Sequence, residues 1–239
     1  MRGCYRLEVR DGLPFVSVVV SFHNDAAFLR RCLLSLLKQA YPRELHEIIL
    51  INDGSVDGSQ ETVSDLLAAH QGTVRLFTQP DRGPAAARNL GVANAMGSIV
   101  AFTDPDCIVD EAWLAKHAGD YVSDEIGGVE GRVETDWSKL LYPIRVSPAG
   151  YRYVTCNMSY RREVLEKVGL FDENFRWKED DELAYRVIRA GWTIRSDDRA
   201  VIYHPVRSLS LRGLVSYGLK HRYDAVSYTH LRAHETVLD

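Results

Sequence analysis

Carboxylates follow apolar stretches at three separated places in this chain. Asp104-Pro105-Asp106 comes directly after Ile99-Val100-Ala101-Phe102-Thr103, Asp53 after Glu47-Ile48-Ile49-Leu50-Ile51-Asn52, and Asp25 just beyond Phe22-His23-Asn24. Two carboxylates at i and i+2 on a turn can both approach one hard cation, Mg²⁺ or Mn²⁺, which leaves most of its positions to water and substrate phosphates. Asp-Pro-Asp is also a good turn in its own right, so both readings stand. The stretch Asn52-Asp53-Gly54-Ser55-Val56-Asp57-Gly58-Ser59 reads as a strand-to-helix turn, with glycine for positive φ and Ser or Asp as a cap. That accounts for Gly54, Ser55 and Asp57. It does not require a carboxylate at Asp53, to which a base or a ribose hydroxyl would give a partner.

Three further stretches could carry chemistry. Pro80-Asp81-Arg82-Gly83-Pro84-Ala85-Ala86-Ala87-Arg88-Asn89-Leu90-Gly91 is a glycine turn opening a helix; its small residues permit close approach, and Arg88 can reach a phosphate or sit on a solvated helix face. Glu179-Asp180-Asp181-Glu182 is the densest acidic run, which capping and the helix dipole would explain. Phe175 and Trp177 stand just before it and could desolvate a carboxylate, raising its pKa toward the range of a base. His204 ends the short apolar stretch Val201-Ile202-Tyr203, either as a satisfied polar group or as a ligand.

The elements that must position these residues can be read from hydrophobic periodicity. A nearly continuous β-branched run over 15–22 predicts a strand buried on both faces. Phe28, Leu29, Cys32, Leu33, Leu36 and Leu37 recur at helical spacing before Pro42. The pattern then predicts strands over 47–52, 74–78 and 98–103 and helices over 59–70 and 84–95. This βαβαβαβ order argues for a parallel sheet wrapped by helices, with ligands outside the carboxyl ends of the strands, where the polar residues above fall. Beyond about residue 125 the alternation breaks down: strands are predicted over 127–135 and 154–160, a proline-containing connection over 137–152, and helices over 162–168 and 180–190. No Gly-, Ser- or Pro-rich linker divides the chain, and one mixed α/β domain is expected.

Composition bounds the function. With 239 residues, 46 % hydrophobic and 26 % charged, the chain is of ordinary globular type. Its 29 basic and 33 acidic residues give a net charge of −4, which offers no nucleic-acid footprint. The longest apolar run is strand-sized, so no membrane span is expected, and the first residues lack the apolar stretch of a signal peptide. Four scattered cysteines (Cys4, Cys32, Cys107, Cys156) with no CxxC pair suggest neither a zinc site nor a disulfide framework, and a reducing cytoplasm is the expected home.

Taken in order, these segments resemble the family 2 glycosyltransferases of the GT-A fold, from Val16 to about Pro205. Val16 to Asp25 is similar to the family's opening strand, with Ser21 where Pro is usual and His23 where an aromatic is usual. Asn52-Asp53-Gly54-Ser55 resembles its nucleotide-base loop, with Asn52 for a common Asp. Ala87-Arg88-Asn89-Leu90-Gly91 and Thr103-Asp104-Pro105-Asp106 resemble the next two blocks. Cys156 to Arg162 and Gly169 to Phe175 resemble the acceptor-side segment. Glu179-Asp180-Asp181-Glu182-Leu183 resembles the Glu-Asp motif, with Glu182 where Asp is frequent.

The resemblance implies a Rossmann-like, mostly parallel sheet, in which residues 14–125 bind the nucleotide sugar and 126–225 form a smaller acceptor side. It implies a nucleotide-diphosphate sugar donor, a saccharide or lipid-linked acceptor, a Mg²⁺ or Mn²⁺ cofactor and inversion at the anomeric carbon. By that likeness Asp104, Asp106 and His204 hold the cation. Phe22, His23, Asp25, Asp53, Gly83 and Arg88, together with Asp104, contact the nucleotide and its phosphates. Asp180 is the base and Glu179 orients the acceptor. Transfer to a polyprenyl phosphate, with peripheral attachment at the inner membrane face, and a non-catalytic nucleotide-sugar-binding fragment are the alternatives. A nucleotidyltransferase is disfavoured, because no Gly-rich, Lys- or Arg-containing triphosphate loop lies near the first strand.

The last segment stands apart. Val226-Ser227-Tyr228-Thr229-His230-Leu231-Arg232-Ala233-His234-Glu235-Thr236 has no clean period and resembles a codon-by-codon translation of a transposase-type sequencing adapter. Residues 226–239 are therefore expected to be non-native and 1–225 to be the domain, truncated at its C-terminus. The preceding 208–223 is predicted to be an amphipathic helix.

Overall fold

The structure is a computed structural model, and it describes residues 12–136, 153–175 and 178–205. The expected connection over 137–152, Trp177, the helix over 208–223 and the adapter-like tail lie outside the described residues. The elements run β1 (Val16–Phe22), α1 (Leu29–Leu36), β2 (His46–Asp53), α2 (Ser64–Ala69), β3 (Val74–Gln79), α3 (Pro84–Ala93), β4 (Ile99–Phe102), β5 (Ile108–Val109), α4 (Trp113–Gly119), β6 (Ile126–Glu134), β7 (Met158–Arg161), α5 (Arg162–Val168), α6 (Glu179–Arg189) and β8 (Thr193–Tyr203).

Eight strands form one sheet in the order β3-β2-β1-β4-β7-β6-β8-β5. The half built from β1 to β4 is parallel throughout, as the alternation of strands and helices predicts. Antiparallel pairing enters at β7, which joins β4 to β6. β1 lies between β2 and β4, so its carboxyl end opens a crevice from which the chain leaves to opposite sides, the place where α/β sheets bind ligands.

The two faces of the sheet carry separate cores. Val16, Val18, Val20, Ile48 and Leu50 face α1, while Val19, Ile49 and Ile51 face α3 and the C-terminal helices. Burial on both faces is what the unbroken β-branched runs demand, each such side chain contributing about 1.5–3 kcal/mol. Helix α3 packs against β1 with no room for a side chain between them: a Cβ on Gly91 would stand 2.3 Å from Val19 Cγ1. The small residues of that stretch thus serve helix-to-sheet contact as well as access to the cleft.

Three expectations need adjusting. The helix over 59–70 begins late: a 3₁₀ turn over Glu61–Val63 precedes α2. The residues before it are committed elsewhere, since the Ser59 hydroxyl accepts the Asp25 backbone N–H at 2.8 Å and Gly58 has φ +83°. The strand over 154–160 is a 3₁₀ turn at Thr155–Asn157 before β7 starts at Met158. Finally, β5, α4 and the first two-thirds of β8 have no counterpart in the periodicity. α4 is only seven residues long, and β8 alternates poorly because Arg195, Asp197, Asp198 and Arg199 fall within it.

Candidate active site

The crevice at the carboxyl ends of β1, β2 and β4 is a cleft of about 320 Å³ lined by Phe22, His23, Asp25, Asp53, Gly83, Arg88, Asp104 and Asp106, among others. The expected nucleotide contacts thus all reach one cavity together with Asp106, while His204 is not among the lining residues; the cavity is of a size suited to a small ligand. The details distribute the roles differently from a simple lining.

Asp53, 4 % exposed at the end of β2, accepts three hydrogen bonds: Oδ1 from the Gln79 side chain at 2.7 Å and from the Arg82 N–H at 3.0 Å, and Oδ2 from the Gly83 N–H at 2.9 Å. Gly83 has φ +90° and ψ 168°, a region open essentially to glycine alone, so the carboxylate and the glycine together fix the loop that opens α3. Asp53 is a loop anchor as well as a cleft residue. His23 at the mouth is held with equal definition. Its Nδ1 lies 2.6 Å from the Asp53 carbonyl oxygen, which can only accept, so Nδ1 carries the proton and Nε2 accepts from Asn24 Nδ2 at 2.8 Å. Phe22 is buried in the core beneath, leaving its backbone for the cleft. Asp25 tightens the turn into α1: its backbone carbonyl accepts from Phe28 and Leu29, and its Oδ2 accepts the His23 N–H.

Arg88 does not stand free on a helix face. It is 9 % exposed, donates to Glu179 Oε1 at 2.5 Å and contacts Asp104 Oδ1 at 3.4 Å, with the Phe171 ring 5.6 Å from its guanidinium carbon. It joins the donor-side turn after β4 to the first residue of α6. Burial works against its charge, and the carboxylates of Glu179, Asp104 and Asp180 more than restore it, so its pKa lies above the ordinary value. Glu179, expected to face an acceptor, is thereby engaged by Arg88.

Asp180, one residue on, is placed by a backbone twist: Lys178 has φ +64°, left-handed for a non-glycine residue, and the helix begins immediately after it. Asp180 Oδ1 accepts the Asp181 N–H at 2.9 Å and Oδ2 the Thr155 N–H at 3.4 Å. Desolvation, followed by repulsion from Glu179 and Asp181, pushes its pKa up to about 7, against the opposing pull of Arg88 and the Asp181 backbone. The acidic run therefore holds a carboxyl group balanced between its two protonation states at neutral pH.

On the far side of the turn, Asp106 and His204 meet, 98 residues apart in sequence. His204 Nδ1 lies 3.1 Å from the Pro205 carbonyl oxygen and must donate to it, which turns Nε2 toward Asp106 Oδ1 at 3.6 Å. With the ring neutral, an imidazole nitrogen and a carboxylate oxygen facing each other at that distance fit a cation between them. Cys107 completes a group whose donor atoms all lie within 4.8 Å of one another. Asp104, expected with them, turns toward Arg88 instead. No sequence motif singled out Cys107; its adjacency to Asp106 on the turn was the available signal. Its buried thiol, hydrogen-bonded with Cys156, has a pKa raised well above the ordinary value by desolvation.

Sequence reasoning also missed the polar network behind the site. Asn157 Nδ2 donates to the carbonyls of Arg132 and Ala200, so its Oδ1 is the acceptor for Trp113 Nε1 at 2.7 Å and His117 Nε2 at 3.0 Å. His117 Nδ1 then accepts from the Ser159 hydroxyl at 2.9 Å, which in turn accepts from Tyr121. The fully buried imidazole is neutral, its pKa lowered to about 4 by desolvation. A second hollow of about 460 Å³, lined in part by Asn89, Phe171, Glu182 and Arg186, holds groups already bonded to one another: Arg186 donates to Glu182 and to the Leu170 carbonyl.

This combination of sheet and cleft has relatives. Glycosyltransferase AglE of Haloferax volcanii is 28 % identical over 213 residues, covering 82 % of this chain and 68 % of its own length. Among solved structures, the mannosyltransferase PcManGT of Pyrobaculum calidifontis, in complex with GDP-Man and Mn²⁺, superposes with a TM-score of 0.70 at 23 % identity, over 85 % of this chain and 59 % of its own. TarS 1-349 of S. aureus, in complex with UDP-GlcNAc, gives a TM-score of 0.68 at 18 % identity, over 82 % and 59 %. The chain thus spans about three-fifths of the length of these solved relatives, and the likeness shows the GT-A fold. The model of glycosyl transferase family 2 matches residues 17–136, half of the chain and the half that builds β1 to β6 and the cleft between them. On that match the chain belongs to glycosyl transferase family 2.

Proposed function

We propose that the chain transfers a sugar from a nucleoside-diphosphate sugar to an acceptor hydroxyl in a single displacement with inversion, Asp180 acting as the base. The observation that carries this reading is the Asp180 carboxyl group, held at the first turn of α6 with its pKa raised to about 7, within the electrostatic reach of Arg88 and one residue beyond the Glu179 that Arg88 ties to Asp104 in the cleft. An acceptor hydroxyl must lose its proton as it attacks, and a base with a pKa near the working pH does this most effectively.

The residues divide the work as follows. Asp53 and Gly83 shape the pocket for the nucleoside, and His23 presents a fixed ring edge at its mouth. Asp106 and His204 hold a divalent cation, which when bound neutralises charge on the departing diphosphate. Arg88 keeps Asp104 on the donor side in register with Glu179 and therefore with Asp180. Asp180 takes the acceptor proton through its carboxylate, while Thr155 N–H fixes one of its oxygens. The acceptor we assign is a saccharide or lipid-linked hydroxyl. No helix among the described residues is long and apolar enough to cross a membrane.

The test is a donor-hydrolysis and thermal-shift screen over uridine, guanosine and thymidine diphosphate sugars with Mn²⁺. Binding and slow hydrolysis of one class, with inverted product stereochemistry, is expected. Failure of all of them in the presence of metal would overturn the reading.

A further inference from the structure

We infer that the cation site beside β4 has mixed donors, with Cys107 supplying sulfur next to Asp106 and His204, and that it takes Zn²⁺ in preference to Mn²⁺ or Mg²⁺. The inference rests on the cation role proposed for Asp106 and His204 and adds a ligand and a metal preference to it.

The geometry comes from one tight turn and one strand end. The Cys107 N–H donates to the Asp104 carbonyl at 3.1 Å, closing a turn that sets Asp106 and Cys107 side by side. His204 arrives from the end of β8, its own backbone N–H fixed on the Glu134 carbonyl at 2.8 Å. Asp106 Oδ1 lies 3.6 Å from His204 Nε2 and 3.9 Å from Cys107 Sγ. Ligands about 2.0–2.3 Å from a tetrahedral zinc ion stand roughly 3.3–3.6 Å from each other. Those two separations need to close by only a few tenths of an ångström.

The donor chemistry points the same way. Mg²⁺ and Mn²⁺ favour oxygen ligands, whereas sulfur and imidazole favour zinc, which also stands above manganese in general affinity. The Pro205 carbonyl supplies the outer-shell hydrogen bond that fixes His204 with Nε2 outward, as metal-binding histidines require. Asp106 and Cys107 are buried, His204 is partly exposed and Asp106 lines the cleft, so three protein ligands would leave one position of a four-coordinate ion for a further ligand. As sulfur takes the cation, the thiol proton passes to solvent. A four-coordinate ion held by three side chains has one place for a phosphate oxygen, whereas a six-coordinate ion has several. Zinc would therefore occupy the site while holding the diphosphate less well than manganese.

The experiment uses the full chain stripped of metal. Co²⁺, as a spectroscopic stand-in for Zn²⁺, is titrated while the thiolate-to-cobalt charge-transfer band is followed. Zn²⁺ affinity is measured by competition with a chromophoric chelator and Mn²⁺ affinity by electron paramagnetic resonance. Each is done for the wild type, Cys107→Ser and His204→Ala, with circular dichroism to verify folding. We expect a thiolate band in the wild type that is absent in Cys107→Ser, a loss of at least about tenfold in Zn²⁺ affinity in that variant, and Mn²⁺ affinity changed by less than about threefold. A wild-type cobalt complex without the band, or unchanged Zn²⁺ affinity in folded Cys107→Ser, would overturn the inference and leave the Asp106–His204 reading intact. If neither Mn²⁺ nor Zn²⁺ bound the wild type, both would fall together.

Discussion

Arg88 donates to Glu179 across 2.5 Å and ninety-one residues of sequence, tying the helix that opens the donor cleft to the helix that carries Asp180. Both side chains are about 10 % exposed, so the pair is desolvated and its halves depend on each other. Such a pair is weak evidence for net stability, yet breaking it strands a buried charge. Arg88→Met is expected to cost about 3–5 kcal/mol in urea unfolding. Adding Glu179→Gln should return a substantial part of the loss. If the two losses simply add, the residues do not act as a pair.

Asp180→Asn is expected to lower turnover at least about a hundredfold while leaving donor affinity nearly unchanged, since the amide preserves shape and removes basicity. In the wild type, kcat/KM should fall as pH drops below about 7, where the carboxylate becomes protonated. Near-normal turnover in the variant would remove Asp180 from the role.

The same shift has a consequence for stability with the opposite sense. The folded pKa of Asp180 is raised above its unfolded value, so the contribution of the protonated group is present below about pH 4 and is lost as pH rises toward 7. Asp180→Asn, which stays neutral, should therefore raise Tm by several degrees at pH 8 and change it little at pH 4, as measured by calorimetry. A variant destabilised equally at both pH values would contradict this.

Asp53→Ala removes the acceptor for Gln79 and for the Arg82 and Gly83 N–H groups at once. A loss of about 2–4 kcal/mol is expected, with faster hydrogen exchange over 79–83. Asp53→Asn should recover only part of it, because one oxygen is replaced by a donor that faces other donors. Protection of 79–83 unchanged in Asp53→Ala would show that the loop is held by other means.

His117 has a folded pKa of about 4, below its unfolded value, so its contribution is complete above about pH 6.5 and fades as pH falls toward 4. His117→Phe should lose about 2–3 kcal/mol at pH 7 by stranding the Asn157 and Ser159 partners, and its stability should fall less steeply than that of the wild type between pH 6.5 and 4.5. Parallel pH profiles would contradict a neutral buried imidazole.

What could be read in the sequence follows the range of the interactions involved. The strands from Val16 and from Glu47 are visible because both faces are buried, which leaves unbroken apolar runs. The rule that ligands gather at strand ends then brings Asp53, Asp104 and Asp106 to one cleft, whereas only the family resemblance joined His204 to Asp106. The acidic start of α6 is visible as a helix start, and its aromatic approach suggested a desolvated carboxylate. The partners of Arg88 could not be read, because a buried arginine and a solvated one have the same local pattern. Nor could Cys107, which differs from an ordinary core cysteine only through where β8 ends. The network of His117, Asn157 and Ser159 was hidden for a related reason: α4 is too short to show a period, and each polar residue looks ordinary until its partners close around it.

The most direct test is nucleoside-diphosphate binding, measured calorimetrically with UDP, GDP and TDP, each with Mn²⁺ and with EDTA, on the wild type and Asp106→Ala. One diphosphate should bind with Mn²⁺, and its affinity should drop by at least about tenfold in EDTA and in Asp106→Ala, if a cation held by Asp106 and His204 carries the contact to the phosphates as proposed. Absence of binding by all three with Mn²⁺, or equal affinity with and without metal, would contradict a cation-dependent nucleotide-sugar site at the end of β4.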